Sequence, residues 1–178
     1  MPLRLLALLV LPLFLLPAAS KKTVATAKGE NQELILTVTL YIDPAEIKQM
    51  LGSDLDGHYV VASVTVQPKY GKEVTVERDD FELRAADSGE KSKPFVASQI
   101  AGRAAIVITQ GQNGNAKMTG AGEKENPLEK TLAAKTLPDT KTDQPVSGLL
   151  YFAMEKMKLK DLEIYYGGKE NRIVLRFK

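Results

Sequence analysis

The sequence predicts an all-β protein, an antiparallel β-sandwich of about eight strands with two short helical inserts. Three observations lead there. Apolar and polar residues alternate through most of the chain after Ser20. Tight-turn clusters such as Pro68-Lys69-Tyr70-Gly71-Lys72 and Asp87-Ser88-Gly89-Glu90 separate the alternating runs. Helical spacing is confined to two segments, each opened by a capping residue and a proline.

The first twenty residues stand outside this pattern. Arg4 precedes an apolar run from Leu5 to Leu16, and Pro17-Ala18-Ala19-Ser20 follows. That order predicts a signal peptide over 1–20. The run is short of the roughly 20 residues that a spanning helix needs. Ala18 and Ser20 place small side chains three and one residues before a cut, so the mature chain is expected to start at Lys21. An uncleaved anchor is the alternative reading.

Leu34, Leu36, Val38 and Leu40 open the strand pattern, and Val60, Ala62, Val64 and Val66 repeat it. Val74 and Val76 resume the period after a turn, and Asp79-Asp80 breaks the chain before Phe81, Leu83 and Ala85. Ala104 to Ile108 and Val146 to Phe152 read as further strands. Leu162 to Tyr166 and Ile173 to Phe177 close the chain around Gly167-Gly168. An even number of strands could instead close into a barrel; the irregular spacing and the inserts favour the sandwich.

Both inserts use one device. Asp43-Pro44-Ala45-Glu46 offers an N-cap acceptor, a proline at the first helical position and a glutamate for a capping box, and Gly52 can end the helix. Asn126-Pro127-Leu128-Glu129 repeats the cap. Helices this short depend on docking an apolar stripe, so they are expected as lids over the open ends of the sandwich. Between strand and second helix, residues 110–126 are rich in glycine and polar side chains and predict a flexible loop. Were that loop a recognition element, Asn113 and Asn115 would be contact residues.

Composition narrows the chemistry. The chain is 44% hydrophobic and 26% charged, with net charge +2, and about +1 once Arg4 leaves with the signal. Charges of both signs are interspersed, which gives no footprint for nucleic acid. Cysteine is absent, which excludes disulfides, a thiolate nucleophile, Cys-ligated metals and a lipoprotein anchor. The single histidine, His58, with Ser53, Ser63, Ser98, Asp54 and Asp56 as conceivable partners, is read as the start of a strand; no Gly-x-Ser-x-Gly elbow occurs. Asp54-Leu55-Asp56-Gly57 copies the start of a calcium loop without its closing glutamate and reads as a turn. No enzyme, metal or cofactor is expected. With Phe152, Leu162, Ile164 and Tyr166 inward, Tyr151 and Tyr165 are expected outward on neighbouring strands, as a contact patch or as a pair stiffening the sheet face.

Tyr59 to Val66, Val74-Thr75-Val76 and Asp80-Phe81-Glu82-Leu83 resemble the first half of the extracellular telokin-like, immunoglobulin-like domains. Val146 to Phe152 and Leu162 to Tyr165 resemble their second half. The resemblance implies an immunoglobulin-like sandwich in an exported bacterial protein and carries over no catalytic residue. The resulting expectation is an exported binding module, periplasmic or extracellular, with a protein or other envelope component as partner and no stable membrane anchor after cleavage. The alternative is a structural or chaperone-like envelope protein that accepts extended segments at its edge strands.

Overall fold

The computed structural model describes residues 22–102, 107–110, 116–119, 126–154, 158–169 and 171–178. The predicted signal segment and the contact candidates Asn113 and Asn115 lie outside them.

Two four-stranded antiparallel sheets face one another. The first runs in the order β1 (Val24–Glu30), β2 (Leu34–Tyr41), β3 (Tyr59–Pro68) and β10 (Val146–Ala153). The second runs β12 (Ile173–Arg176), β11 (Leu162–Tyr166), β5 (Phe81–Ala85) and β6 (Lys91–Ser92). A ribbon of β4 (Val74–Val76) and β9 (Thr140–Thr142) flanks them, and β7 (Val107–Gln110) pairs with β8 (Ala116–Thr119). This is the antiparallel β-sandwich that the alternation predicts, and it is consistent with the immunoglobulin-like form that the resemblance implies. Leu36, Val38, Leu40, Val64, Phe152, Phe81, Leu83 and Ile164 share one core, fully shielded from solvent. The Phe81 and Tyr166 rings meet at 4.6 Å inside it.

Four of the described strands, β1, β6, β8 and β9, escape the sequence pattern, and β1 and β8 show why. β1 presents Ala25, Ala27 and Gly29 to the interior, side chains too small to register as an apolar stripe. They are small because β12 lies close: a Cβ on Gly29 would sit 2.7 Å from the Ile173 and Leu175 side chains. β8 falls inside the segment expected to be a flexible loop, where Ala116–Thr119 pairs with Val107–Gln110 instead.

The helical inserts form as their caps predict. Asp43 accepts a hydrogen bond from the Ala45 N–H at 2.7 Å at the start of α1 (Pro44–Leu51), and Gly52 ends it in the left-handed region at φ 78°. The capping box is incomplete, since Glu46 Oε2 is buried without a hydrogen-bond partner among the described residues. Asn126 accepts from the Leu128 N–H at 3.0 Å at the start of α3 (Pro127–Lys135). A further single-turn helix, α2 (Ala97–Ile100), precedes it.

The placement of these helices corrects the sequence reading. They do not close the ends of the sandwich. Ile47 and Leu51 of α1, Ala97 of α2 and Leu132 of α3 pack on Val61, Leu149 and Tyr151, which point away from the main core. The outer face of the first sheet is thus half roofed, and a second core lies beneath the roof. Lys135 ties α3 to α1 by donating to the Met50 carbonyl at 2.6 Å.

Candidate functional site

The roof and the edge of the first sheet together build a groove. β10 is an edge strand by sheet order, yet two chain segments take up its free side. The Phe95 N–H donates to the Tyr151 carbonyl at 2.7 Å, and the Leu137 N–H donates to the Leu149 carbonyl at 3.0 Å. The second approach requires a glycine. A Cβ on Gly148 would lie 2.3 Å from the Leu137 Cα, closer than any side chain tolerates.

Arg78, in the turn before β5, bridges to the second of these segments. Its backbone N–H donates to Asp139 Oδ1 at 2.8 Å, and its guanidinium grips the same carboxylate, with Nε 2.9 Å and Nη2 2.5 Å from Oδ2. The fork geometry makes this a well-directed pair, although both side chains are partly solvated. Those hydrogen bonds hold the Asp139 carboxyl below the usual carboxylate range and push the Arg78 guanidinium up.

Around this pair lies a cavity of about 330 Å³ lined by Glu77, Arg78, Asp79, Pro94, Phe95, Val96 and Asp139. A second of about 280 Å³ continues past Arg78 and Val96 to Ser98, Glu129, Ala133 and Thr136. The shared lining makes one groove, with an apolar wall and carboxylates along it. Phe95 is held in place edge-on against Tyr59, ring centroids 5.9 Å apart. Val96, 38% exposed, is one of the few large apolar side chains presented to solvent. Lys93 donates to the Asp79 carbonyl at 2.6 Å and steadies the rim.

The groove suits non-covalent recognition: an apolar surface for contact, and charged groups to orient what rests on it. His58 is elsewhere, exposed in the turn before β3. Ser53 and Asp54 are engaged locally, accepting from the Leu55 and Asp56 N–H groups, as a turn requires. That turn takes Leu55 and Asp56 into the left-handed region at φ 52° and 57°. Among the described residues no cluster of three or more acidic or histidine side chains could hold a metal ion.

The two tyrosines expected on neighbouring strands, as a contact patch or a stiffening pair, do not meet, because β10 and β11 belong to different sheets. Tyr151 does leave the main core, but α3 covers it: the ring is fully buried, and its hydroxyl donates to the Leu132 carbonyl at 3.2 Å. Burial pushes its pKa up to about 12, against a smaller opposing effect of the Thr136 hydroxyl. Tyr165 lies on the outer face of the other sheet, half-buried, with the Arg84 guanidinium 3.9 Å above its ring and Arg172 at 5.7 Å. Its hydroxyl donates to Glu163 Oε2 at 2.8 Å while Arg176 holds Oε1 at 2.6 Å. Arg176, and then Tyr165, lower the Glu163 pKa, and Glu163 in turn raises that of Tyr165. The ring is engaged by its neighbours, a stiffener of the sheet face.

Sequence reasoning names Asp79, Ser98 and Glu129 only in other roles and passes over the remaining groove residues. The single available signal is Pro94-Phe95-Val96, an apolar triplet outside any alternation.

No protein-family model matches the chain, and no curated protein is similar to it. Two of the solved structures similar in outline are these. One is a secreted protein from Mycobacterium tuberculosis, MPT63, at 13% identity and TM-score 0.41, covering 85% of this chain and 92% of that one. The other is a functionally unknown protein from Listeria monocytogenes, at 11% identity and TM-score 0.38, covering 86% and 84%. Likenesses this distant decide nothing about function, and the fold stands on its own strand pairing.

Proposed function

We propose that the protein is an exported, non-enzymatic immunoglobulin-like module that binds a protein or other component of the bacterial envelope or extracellular space. The groove at Arg78 and Val96 is its recognition surface. The observation that carries this reading is the wall of half-buried Phe95 and exposed Val96 fixed beside the Arg78–Asp139 fork. A rigid scaffold has positioned a loop segment with apolar contact area and directed charge, the usual make-up of a binding surface. Export is supported by the leading charge, apolar run and small-residue site of residues 1–20. None of the described helices is long and apolar enough to cross a membrane.

The test is co-isolation from native envelope extracts. The wild-type protein is expected to retain one partner in fixed ratio, and Val96→Asp to lose it while melting normally. Equal retention by the variant would remove the groove from the account. A heterogeneous set of clients retained by both would favour the chaperone-like alternative.

A further inference from the structure

Sheet edges are where chains meet other chains, because an edge strand leaves a row of backbone groups unpaired. Three of the four edges of the two main sheets are short or taken. β6 has two residues, β12 has four, and β10 is occupied at Leu149 and Tyr151. The fourth, β1, runs for seven residues against β2 in unbroken register, with neither bulge nor proline.

The hydrogen bonds at its two ends identify which groups face outward. The Ile42 N–H donates to the Thr23 carbonyl at 3.2 Å, and the Asn31 N–H to the Leu34 carbonyl at 3.1 Å. Odd-numbered residues of β1 are therefore those bonded to β2. Antiparallel strands alternate, so the N–H and C=O groups of Val24, Thr26, Lys28 and Glu30 point away from the sheet. None of these groups meets a partner among the described residues.

We propose that this edge pairs antiparallel with β1 of a second copy, about a two-fold axis at Thr26. Outward residues can bond only to outward residues, which restricts the register. With Thr26 opposite its counterpart, Val24 meets Lys28 of the second copy, and Lys22 meets Glu30 at both ends of the ladder. The charges along the edge are self-complementary in this arrangement, whereas a parallel pairing would set like charges side by side. Both groups are accessible for it. Glu30 is 61% exposed at its side chain and gives only Oε2 to Lys69, at 3.0 Å. Lys22 is exposed and exchanges its 2.5 Å bond to the Lys178 carbonyl for the new carboxylate. Joining here merges two first sheets into one and leaves each groove open, because β10 lies at the opposite edge from β1.

Sedimentation of the purified protein across a concentration series tests this. The wild type is expected to pass reversibly from monomer to dimer. Thr26→Pro removes one outward N–H, a change an edge strand tolerates, and should leave a monomer with an unchanged circular dichroism spectrum. Glu30→Lys should weaken association about tenfold, since two attractive pairs become repulsive, and Lys22→Glu added to it should restore the wild-type strength. A monomer that persists to millimolar concentration would overturn the proposal. So would dimers indifferent to all three variants, failure of the double variant to recover, or binding of unrelated extended peptides in place of a second copy.

Discussion

Tyr151 shows most plainly how one residue can satisfy a local rule and still mislead. Alternation puts it opposite Phe152, and the structure agrees: Phe152 enters the main core and Tyr151 does not. What alternation cannot say is whether the other face is wet. Leu149-Leu150-Tyr151-Phe152 and Val60-Val61-Ala62 are unbroken apolar runs, the pattern of strands buried on both sides, and that signal outranks the alternation. The burial has a pH signature. Tyr151 and Tyr166 are both pushed up to about 12, first by burial, against about 10 in an unfolded chain. The unfolded state therefore releases these phenolic protons first, so their contribution is complete below pH 10 and is lost as pH rises toward 12. Tyr151→Phe should cost about 1 kcal/mol at neutral pH through the lost bond to Leu132, and should make the alkaline fall in melting temperature shallower. An unchanged alkaline slope would mean that the hydroxyl is solvated.

Elements whose identity rests on periodicity are legible in the sequence, and those made by long-range docking are not. β2, β3, β5, β11 and β12 follow from alternation, and α1 and α3 from their Asp-Pro and Asn-Pro caps. β1 was hidden by its small interior residues, and β9 by Thr140-Lys141-Thr142, which carries no apolar side chain at all. The groove was hidden for the same reason: Arg78 and Asp139 are 61 residues apart and acquire meaning only when Leu137 docks on β10. That docking depends on Gly148. Gly148→Ala should displace Leu137 and cost about 1–3 kcal/mol or more, as overpacking does, with the loss read by thermal melting. Gly29→Ala is the comparison, because its Cβ meets the Ile173 and Leu175 side chains and not backbone. If the two substitutions cost the same, the close crossing at Gly148 is not what positions the groove.

At the scale of the whole molecule, one sheet is shared by two cores, and function is assigned to the margin where they meet. The main core holds the sheets together; the roof of α1, α2 and α3 fixes the segments that line the groove. The second sheet's outer face is a different surface. Its arginines, glutamates and Tyr165 are engaged with one another, so it offers a partner little that is not already paired. The two faces make contrasting predictions for the living cell. A photoreactive residue placed at Val96 should crosslink in the native envelope to one partner, whereas the same residue at Val174, equally exposed at 39% on the second sheet, should not. Equal labelling from both positions, or none from Val96, would contradict the assignment of the groove as the recognition surface.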